Sequence, residues 1–425
     1  MHYPSKVKLC ENKVKIYENA AERSRIFFFT ISGHAKLQEK RSMMDNETIA
    51  CCQLSRVFGY NPTAGRKLIE AVGSALDVFR LKQNDLQQLL GVSPPQGLDR
   101  QGFEASKKEL EDLSRKGCTY LGITSEVYPE LLKECDDPPI GLYMKCSSPP
   151  EEVFRERPTV AVVGTRDLSH YGLEWTRKIT AALCSTKNTP VIVSGLALGA
   201  DITAHKTALE CGASTIAVMA TGIDDVYPRM HGYDADRIAA APGSALISDY
   251  PPGTGPVANN FLRRNRIIAG LSQATILTES RVKGGGMMTA NLAWTYNRDV
   301  FVLPGKIDDL RSGGCNKLIA EKKAEIILTP EDMMIKMGLI GPRRKGLMVP
   351  DPEKIYSGSM PPDQVAILSA IFKLIRINRG ISKQDLCRAS GMSIGEINSY
   401  TSLMEADGLI YTDLLGNCSV RDKLE

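Results

Sequence analysis

Six short, continuously apolar runs between Pro158 and Gly305 constrain the fold more than any other feature of this sequence. They read PTVAVVG, PVIVSG, STIAVMATG, SALISDY, QATILTES and DVFVLPG, and most alternate with segments of helical spacing such as YGLEWTRKITAAL. A strand that is apolar on both faces must be covered on both faces, as in a parallel sheet flanked by helices. The pattern predicts an α/β fold with an extended, doubly wound, Rossmann-like parallel sheet.

The residues before this sheet predict a smaller helical domain. Residues 1–44 are expected to be an irregular extension, with the working protein beginning near Met43 or Met44; a signal peptide is the minor alternative, because no small-residue cleavage site follows the apolar run IFFFTI. Residues 45–95 contain short helical patterns separated by Gly, Pro and Asn. The glycine-containing turns between these helices are explained either by close packing, which we favour, or by contact with a nucleic-acid backbone. A polar connection is expected from Ser93 to about Lys116.

The residues after the sheet predict a linker and a winged helix. The sheet domain is expected over 117–335 and a linker rich in Pro, Gly, Ser and charge over 342–360. Residues 361–425 read as three helices and a strand pair, the order of a winged helix, with seven Lys and Arg against eight Asp and Glu. The third predicted helix, 393–408, has no Lys or Arg, so a protein contact or a regulatory role is favoured over binding in a DNA major groove.

Three glycine-rich turns follow strands of the predicted sheet. They are Gly164-Thr165-Arg166, Gly195-Leu196-Ala197-Leu198-Gly199 and Lys283-Gly284-Gly285-Gly286. Parallel sheets bind ligands at the carboxyl ends of their strands, and glycine followed by a helix N-terminus suits phosphate. Together the turns predict a phosphate-lined pocket, although each one taken singly is also explained as a tight turn.

The stretch FLRRNRIIAGLS adds a cluster of cations. Arg263, Arg264 and Arg266 are predicted to lie in the first turn of a helix, where each costs roughly 0.3 to 1 kcal/mol unless an anion lies opposite. The cluster therefore predicts an anionic ligand, with Arg263 and Arg266 on one helix face and Arg166 in the same crevice.

The absence of several sequence motifs argues against several classes of chemistry. The chain has neither GxGxxG after a strand nor GxxxxGK[ST], and its eleven cysteines contain no CxxC pair, so no bound NAD, no ATP hydrolysis, no zinc and no other cofactor is expected. The net charge of +4 leaves nucleic-acid binding open, and no apolar run is long enough to cross a membrane. Asp201 is predicted to cap a helix, His205 to pack on it, and Asp224 and Asp225 to shape a turn.

Eight ordered motifs between about Gly117 and Thr329 resemble those of the DNA-processing protein A family, also called DprA or Smf. They are VVGTR, SGLALGADITAH, TIAVMATGIDDVYP, SDYPPGTGP, FLRRNRIIAGLS, GGGMMTANLA, LPGKI and GCNKLI. The flanking regions resemble the family's N-terminal domain of sterile-alpha-motif type and its C-terminal winged helix. The resemblance implies a cytoplasmic bacterial protein without catalytic activity, which binds single-stranded DNA in natural transformation and loads the RecA recombinase onto it. It also implies a homodimer through the later strands, near Asn316–Ile319.

The resemblance also implies a DNA pocket, to which the glycine turns add two residues. The expected DNA-binding residues are Gly164, Arg166, Ser194, Gly195, Arg229, Phe261, Arg263, Asn265, Arg266 and Gly285. Guanidinium groups hold phosphates and a Phe ring can stack on an unpaired base. This chain departs from the family in having Leu262 instead of Pro and Gly284–Gly286 instead of Ser-Gly-Ser, which puts the local shape of the pocket in question.

Two alternatives remain. The first is an enzyme of the lysine-decarboxylase-like group that cleaves nucleoside monophosphates, although KGGGMMTANLA lacks the glutamate of that group's PGGxGTxxE turn. The second is a carrier of a small phosphorylated ligand.

Overall fold

The computed structural model describes residues 45–59, 61–154, 157–341, 351–378, 380–413 and 416–420, so the predicted extension 1–44 lies outside the described residues. The chain divides into two compact units, Met1–Ile340 and Gly341–Glu425. In the described part of the chain, no helix combines the length and the apolarity needed to cross a membrane.

The first unit is built around a nine-stranded sheet. Its strands are β1 (Cys118–Gly122), β2 (Gly141–Lys145), β3 (Thr159–Val163), β4 (Val191–Ser194), β5 (Thr215–Val218), β6 (Ala245–Ser248), β7 (Ala274–Leu277), β8 (Asp299–Val302) and β9 (Glu325–Ile326). Its helices are α1 (Asn46–Phe58), α2 (Pro62–Val72), α3 (Ala75–Val78), α4 (Gln83–Leu90), α5 (Arg100–Arg115), α6 (Glu130–Lys133), α7 (Pro150–Val153), α8 (His170–Cys184), α9 (Ala200–Glu210), α10 (Gly232–Ala240), α11 (Ala258–Gly270), α12 (Gly285–Thr295), α13 (Gly313–Ala320) and α14 (Pro330–Lys336).

The strand order reverses at β3. The order across the sheet is β1-β2-β6-β5-β4-β3-β7-β8-β9, with β3 to β9 parallel and β1 and β2 antiparallel at one edge. The chain runs outward from β3 to β6 and then returns to place β7 on the other side of β3. This reversal is the topological switch point at which doubly wound sheets bind ligands.

Alternate residues of the central strands enter two different cores, which is why these strands are apolar throughout. Ala161 and Val163 pack with α1, α11 and α12, whereas Val160 and Val162 pack with α8, α9 and α14. Helices therefore cover both faces, and the predicted doubly wound α/β fold with N-terminal helices is confirmed.

The N-terminal helices share a core with the sheet. Leu54 of α1 and Leu142 of β2 belong to the same buried cluster. The predicted polar connection from Ser93 to Lys116 is wrong in one respect, because most of it forms α5. Most residues of this helix are polar, and its buried side chains are Ser106, Leu110 and Leu113. The Ser106 hydroxyl donates a 2.6 Å hydrogen bond to Gln53 of α1, and the two leucines belong to the same core cluster as Ile49 and Cys52 of α1.

The second unit has a small core of its own. It contains α15 (Pro352–Tyr356), α16 (Pro362–Ile377), β10 (Ile381–Ser382), α17 (Lys383–Ser390), α18 (Ile394–Ala406), β11 (Ile410–Thr412) and β12 (Asn417–Val420). The strands form an antiparallel sheet in the order β10-β12-β11. Part of the predicted linker is folded, since Tyr356 is buried in this core and its hydroxyl donates a 2.6 Å hydrogen bond to Asp407. Residues 342–350 of that linker lie outside the described residues.

Candidate nucleic-acid interface

A crevice of about 370 Å³ opens at the switch point, where β3 and β7 end. We call it the strand-end crevice. It is lined by residues of the turns after β3, β4 and β7 and of helices α9, α11 and α12: Val163, Gly164, Thr165, Arg166, Ala197, Asp201, Phe261, Leu262, Arg264, Asn265, Ile268, Ser280, Arg281, Lys283, Gly284, Gly285, Gly286 and Thr289. The exposed charged residues of the lining are the cations Arg166, Arg281 and Lys283, whereas the carboxylate of the lining, Asp201, is buried. The crevice therefore favours an anionic ligand.

A guanidinium and two aromatic rings lie at the mouth of the strand-end crevice. The guanidinium carbon of exposed Arg166 lies 5.2 Å from the centre of the half-buried Phe261 ring. The Tyr227 ring meets Phe261 edge to face, with the ring centres 5.4 Å apart. The Phe261 ring is thus contacted both by a cation and by a second aromatic ring.

The N-terminus of α12 lines the crevice and has no side-chain cap. Gly284 precedes the helix and supplies no side-chain hydrogen bond to it. A Cβ at Gly285 would meet nothing within 4 Å, so the backbone there is open to an approaching group. The first N–H groups of an eleven-residue helix, with Lys283 beside them, form a site suited to phosphate.

Gly164 and Gly286 are required by packing as well as by access. A Cβ at Gly164 would lie 2.8 Å from the Cβ of Ala200, and one at Gly286 would lie 3.2 Å from the Cα of Gly164. The N–H of Thr165 already donates a 2.7 Å hydrogen bond to the carbonyl of Glu279. The glycines of these two turns therefore bring β3, β7, α9 and α12 together at the floor of the crevice.

The arginine cluster does not lie in the first turn of a helix, which corrects that prediction. Helix α11 begins at Ala258, so Arg263 is its sixth residue and lies beyond the positive end of the helix dipole. Asn260 in the first turn of α11 is buried, and its backbone carbonyl accepts a 3.3 Å hydrogen bond from the Tyr250 hydroxyl. The dipole argument for an anion therefore fails, and the case for one rests on the geometry of the crevice.

Arg264 is buried beneath the ends of β4 and β5. Its Nη1 donates hydrogen bonds to the carbonyls of Gly195, at 2.7 Å, and Val218. Burial lowers the pKa of Arg264, an effect that Asp201 opposes. Arg264 was not among the expected DNA-binding residues, although it supplies a fixed positive charge at the crevice wall.

Arg266 does not share the crevice with Arg166, contrary to the prediction. It is 7% exposed, and its Nη2 lies 2.6 Å from Oδ2 of Asp249. It also donates a hydrogen bond to the carbonyl of Asp137. Burial would lower the pKa of Arg266, but Asp249 and Asp137 outweigh burial and raise it. The pairing with Asp249 is the structural alternative to a phosphate contact.

The other predicted site residues are divided between the crevice and its surroundings. Asn265 lines the crevice, and its Oδ1 accepts a 3.2 Å hydrogen bond from Nε of Arg264. Arg263 is half-buried on the same helix. Ser194 is fully buried, with its hydroxyl donating a 2.7 Å hydrogen bond to the carbonyl of Val162. Arg229 is exposed in a 3₁₀ turn that follows Tyr227 and Pro228.

Buried titratable groups near the crevice have structural partners. Nδ1 of His205 lies 2.7 Å from the Thr215 hydroxyl, and burial lowers the pKa of His205 to about 3. The carboxylate of Glu279 accepts hydrogen bonds from the backbone N–H and the hydroxyl of Ser169, at 2.9 and 2.5 Å. Gly199, not Asp201, is the N-cap of α9; Asp201 follows in the first turn and accepts a 3.4 Å hydrogen bond from the N–H of Ala197. Burial raises the pKa of Asp201, and Arg264 opposes this rise.

Comparison with known proteins decides the family. Residues 119–338 match the family model described as DNA recombination-mediator protein A. The chain belongs to this family. It is 35% identical over 250 residues to the DNA processing protein DprA of Streptococcus pneumoniae, covering 59% of this chain and 85% of that protein. The X-ray structure of the DNA processing protein A from that organism has a TM-score of 0.59 and 31% identity, covering 69% of this chain and 98% of the other.

A second relative shows how far the similarity extends. Protein Smf of Synechocystis sp. is 40% identical over 231 residues, which are 54% of this chain and 57% of that protein. The chain therefore spans little more than half the length of this relative. The matched DprA segment contains the whole strand-end crevice.

Tyr227 and Lys283 were not among the expected DNA-binding residues. Tyr227 follows the turn predicted at Asp224 and Asp225, and nothing in the local sequence indicates that its ring meets Phe261. Lys283 precedes the GGG turn directly, and a cation next to a helix N-terminus was a signal that could have identified it.

Proposed function

We propose that the strand-end crevice binds single-stranded DNA. The observation that carries the proposal is the stacking of Arg166 on Phe261, 5.2 Å apart, beside the uncapped N-terminus of α12. The helix end and Lys283 suit one phosphate, the exposed face of Arg166 suits another, and the aromatic edge suits an unpaired base. These groups contact the backbone and the base face without reading base edges, so binding is independent of sequence.

A single strand fits this arrangement better than a duplex. Phe261 is half-buried among the residues that line the crevice, and a base must separate from its partner to lay a face against the ring. Duplex DNA presents no free base face. The proposed contacts within the crevice are Arg166, Phe261, Asn265, Lys283 and Gly285. Arg263 and Arg229 lie outside the crevice lining and are proposed as further contacts. We assign Gly164, Ser194, Gly195 and Arg266 to the support of these residues.

Membership of the recombination-mediator family extends the proposal to the pathway. The protein protects incoming single strands during natural transformation and loads the RecA recombinase onto them in the cytoplasm. Loading is tested by measuring RecA filament formation on a single strand with and without the protein. Arg166→Glu should abolish the stimulation that the unaltered protein gives.

We propose that the protein has no catalytic activity of its own. A nucleoside-monophosphate hydrolase needs a glutamate free to act on the ligand, and the buried Glu279 at the end of β7 is committed to Ser169 at the N-terminus of α8. The crevice volume would also suit a small phosphorylated ligand, which makes the carrier the second candidate.

The decisive experiment is a fluorescence-anisotropy titration of single-stranded and duplex oligonucleotides of one sequence. We expect the single strand to bind more tightly and Arg166→Glu to lose that binding. Arg115→Glu makes the same charge change on α5 outside the crevice and should bind normally. Equal affinity for both forms, or release of base from nucleoside monophosphates in a parallel assay, would contradict the proposal.

A homodimer is proposed for the working state. From the family resemblance we infer an interface near Asn316–Ile319, in α13. Two crevices side by side would let one dimer hold a longer stretch of strand. Light scattering at micromolar concentration should give twice the chain mass, and a monomer under these conditions would exclude the dimer.

A further inference from the structure

A second aromatic surface lies beyond the mouth of the crevice. It consists of Tyr227, Met230, Tyr233 and Arg237, and we call it the Tyr233 platform. Met230 is 74% exposed and Tyr233 is 75% exposed, while Tyr227 is 41% exposed. Large apolar side chains grouped this close along the chain and open to water are typical of a binding surface.

The Tyr233 platform begins at a residue that contacts the crevice. Tyr227 contacts Phe261 directly, with ring centres 5.4 Å apart. The turn that carries Met230 is fixed to the carboxyl end of β4, because Nδ1 of buried His231 lies 2.8 Å from the carbonyl of Leu196, next to the crevice residue Ala197. Tyr233 is six residues beyond Tyr227, a separation of at most about 20 Å along the chain. One extended ligand can therefore contact both surfaces.

The platform repeats the arrangement found at the crevice mouth. The guanidinium carbon of Arg237 lies 5.9 Å from the centre of the Tyr233 ring, as Arg166 lies over Phe261. Arg237 also lies 3.9 Å from Asp234, whose carboxylate pairs more closely with Lys206, at 3.3 Å. The exposed ring of Tyr233 and the cation beside it suit a nucleobase and its phosphate.

We propose that a single strand leaving the crevice past Phe261 continues over Tyr227 and stacks a base on Tyr233. This inference rests on the proposed function and adds to it a length dependence. Strands too short to extend beyond the crevice gain nothing from the platform, whereas longer strands gain a second stacking contact. Sequence independence is retained, because every base offers a face to the tyrosine ring.

The test compares Tyr233→Ala with the unaltered protein on oligothymidylates of about 6 and about 30 nucleotides, which bracket the range of single-strand site sizes. We expect the short strand to bind equally well and the long strand to bind about tenfold more weakly, the effect of losing one stacked base. Tyr233→Phe keeps the ring and should bind both lengths normally.

Trp294→Ala is the matched control. Trp294 is 51% exposed and carries Lys323 over its ring at 5.6 Å, but it lies at the opposite end of α12 from the crevice. The Trp294→Ala variant should bind the short and the long oligothymidylate as tightly as the unaltered protein does. Normal binding of both strands by Tyr233→Ala would overturn the platform and assign this surface to a protein partner, with the crevice proposal intact. An equal loss at both lengths would also overturn it. Failure of the unaltered protein to bind either strand would instead refute the proposed function.

Discussion

The guanidinium of Arg264 lies against the backbone of Gly195. Its Nη1 donates a 2.7 Å hydrogen bond to the Gly195 carbonyl, and a Cβ at residue 195 would lie 2.5 Å from the guanidinium carbon. The glycine-rich turn at Gly195 has the composition of a phosphate-binding loop, but the buried side chain of Arg264 already contacts its backbone. This contact makes Gly195 a packing requirement of the crevice wall.

Gly195→Ala should therefore destabilise the fold. The new methyl group cannot coexist with the buried guanidinium, so one of them must move, at a cost of roughly 1 to 3 kcal/mol. Thermal unfolding measures the change. Gly232→Ala is the control, since a Cβ at the start of α10 meets nothing within 4 Å, and it should leave the melting temperature unchanged or raise it. An unaltered melting temperature in Gly195→Ala would show that Arg264 is free to move.

Arg266→Ala should lower stability strongly. Removal of the guanidinium leaves the buried Asp249 carboxylate without its ion-pair partner, which costs about 3 to 5 kcal/mol. Chemical denaturation gives the free energy of unfolding. Combining Arg266→Met with Asp249→Leu should recover much of the loss, because no buried charge remains. A stable Arg266→Ala protein that no longer binds DNA would restore Arg266 as a phosphate contact.

Arg166→Ala should leave stability within about 0.5 kcal/mol and weaken binding to every single-stranded sequence alike. The side chain is exposed and stacked on Phe261, so its loss removes a ligand contact without opening a core. The slope of log affinity against log salt should fall by roughly 0.7 for a lost phosphate contact. Arg263→Ala is expected to behave in the same way. An unchanged salt slope would exclude a phosphate contact for the residue concerned.

Acid should destabilise the protein through His205. Burial lowers the pKa of His205 to about 3 in the folded protein, whereas an unfolded chain has a histidine pKa of about 6.5. Between these values the unfolded state binds more protons, so the free energy of unfolding falls as the pH drops below about 6.5, by a few kcal/mol near pH 3.

His205→Asn tests this pH dependence. The Asn amide can still donate to the Thr215 hydroxyl but does not titrate. Unfolding curves across this pH range should be flatter for the variant than for the unaltered protein. Identical pH profiles would assign the acid sensitivity to other groups.

Removal of the whole second unit, residues 341–425, should leave single-strand affinity within about threefold. Its helix α18 carries Glu396 and Glu405 and no Lys or Arg, and the unit has a separate core. The truncation should begin at 341 and not at 361, because Tyr356 belongs to that core. Anisotropy titration of the truncated protein measures the effect. A hundredfold loss would mean that DNA contacts the winged helix.

The layered fold and the location of the crevice followed from local patterns. Each apolar run is buried on both faces, so strands such as Thr159–Val163 are recognisable without knowledge of their neighbours. Each glycine turn follows a strand, and the carboxyl ends of parallel strands lie on the same side of the sheet, so the turns are expected to lie close together. The helical connection Arg100–Arg115 escaped this reasoning, because most of its residues are polar and only Ser106, Leu110 and Leu113 are buried.

The roles of the individual arginines were decided only by tertiary structure. Arg263, Arg264 and Arg266 are alike in the sequence, yet the latter two are buried against partners 69 and 17 residues away, Gly195 and Asp249. Apolar periodicity reports which face of an element is buried, because burial of each residue depends on its own side chain. The partner of a charge depends on which distant segments the fold brings within hydrogen-bond distance, and no local pattern contains that information. The sequence therefore determined the sheet and the strand ends at which the crevice opens, whereas packing around α11 decided which cations are buried against partners of the same chain.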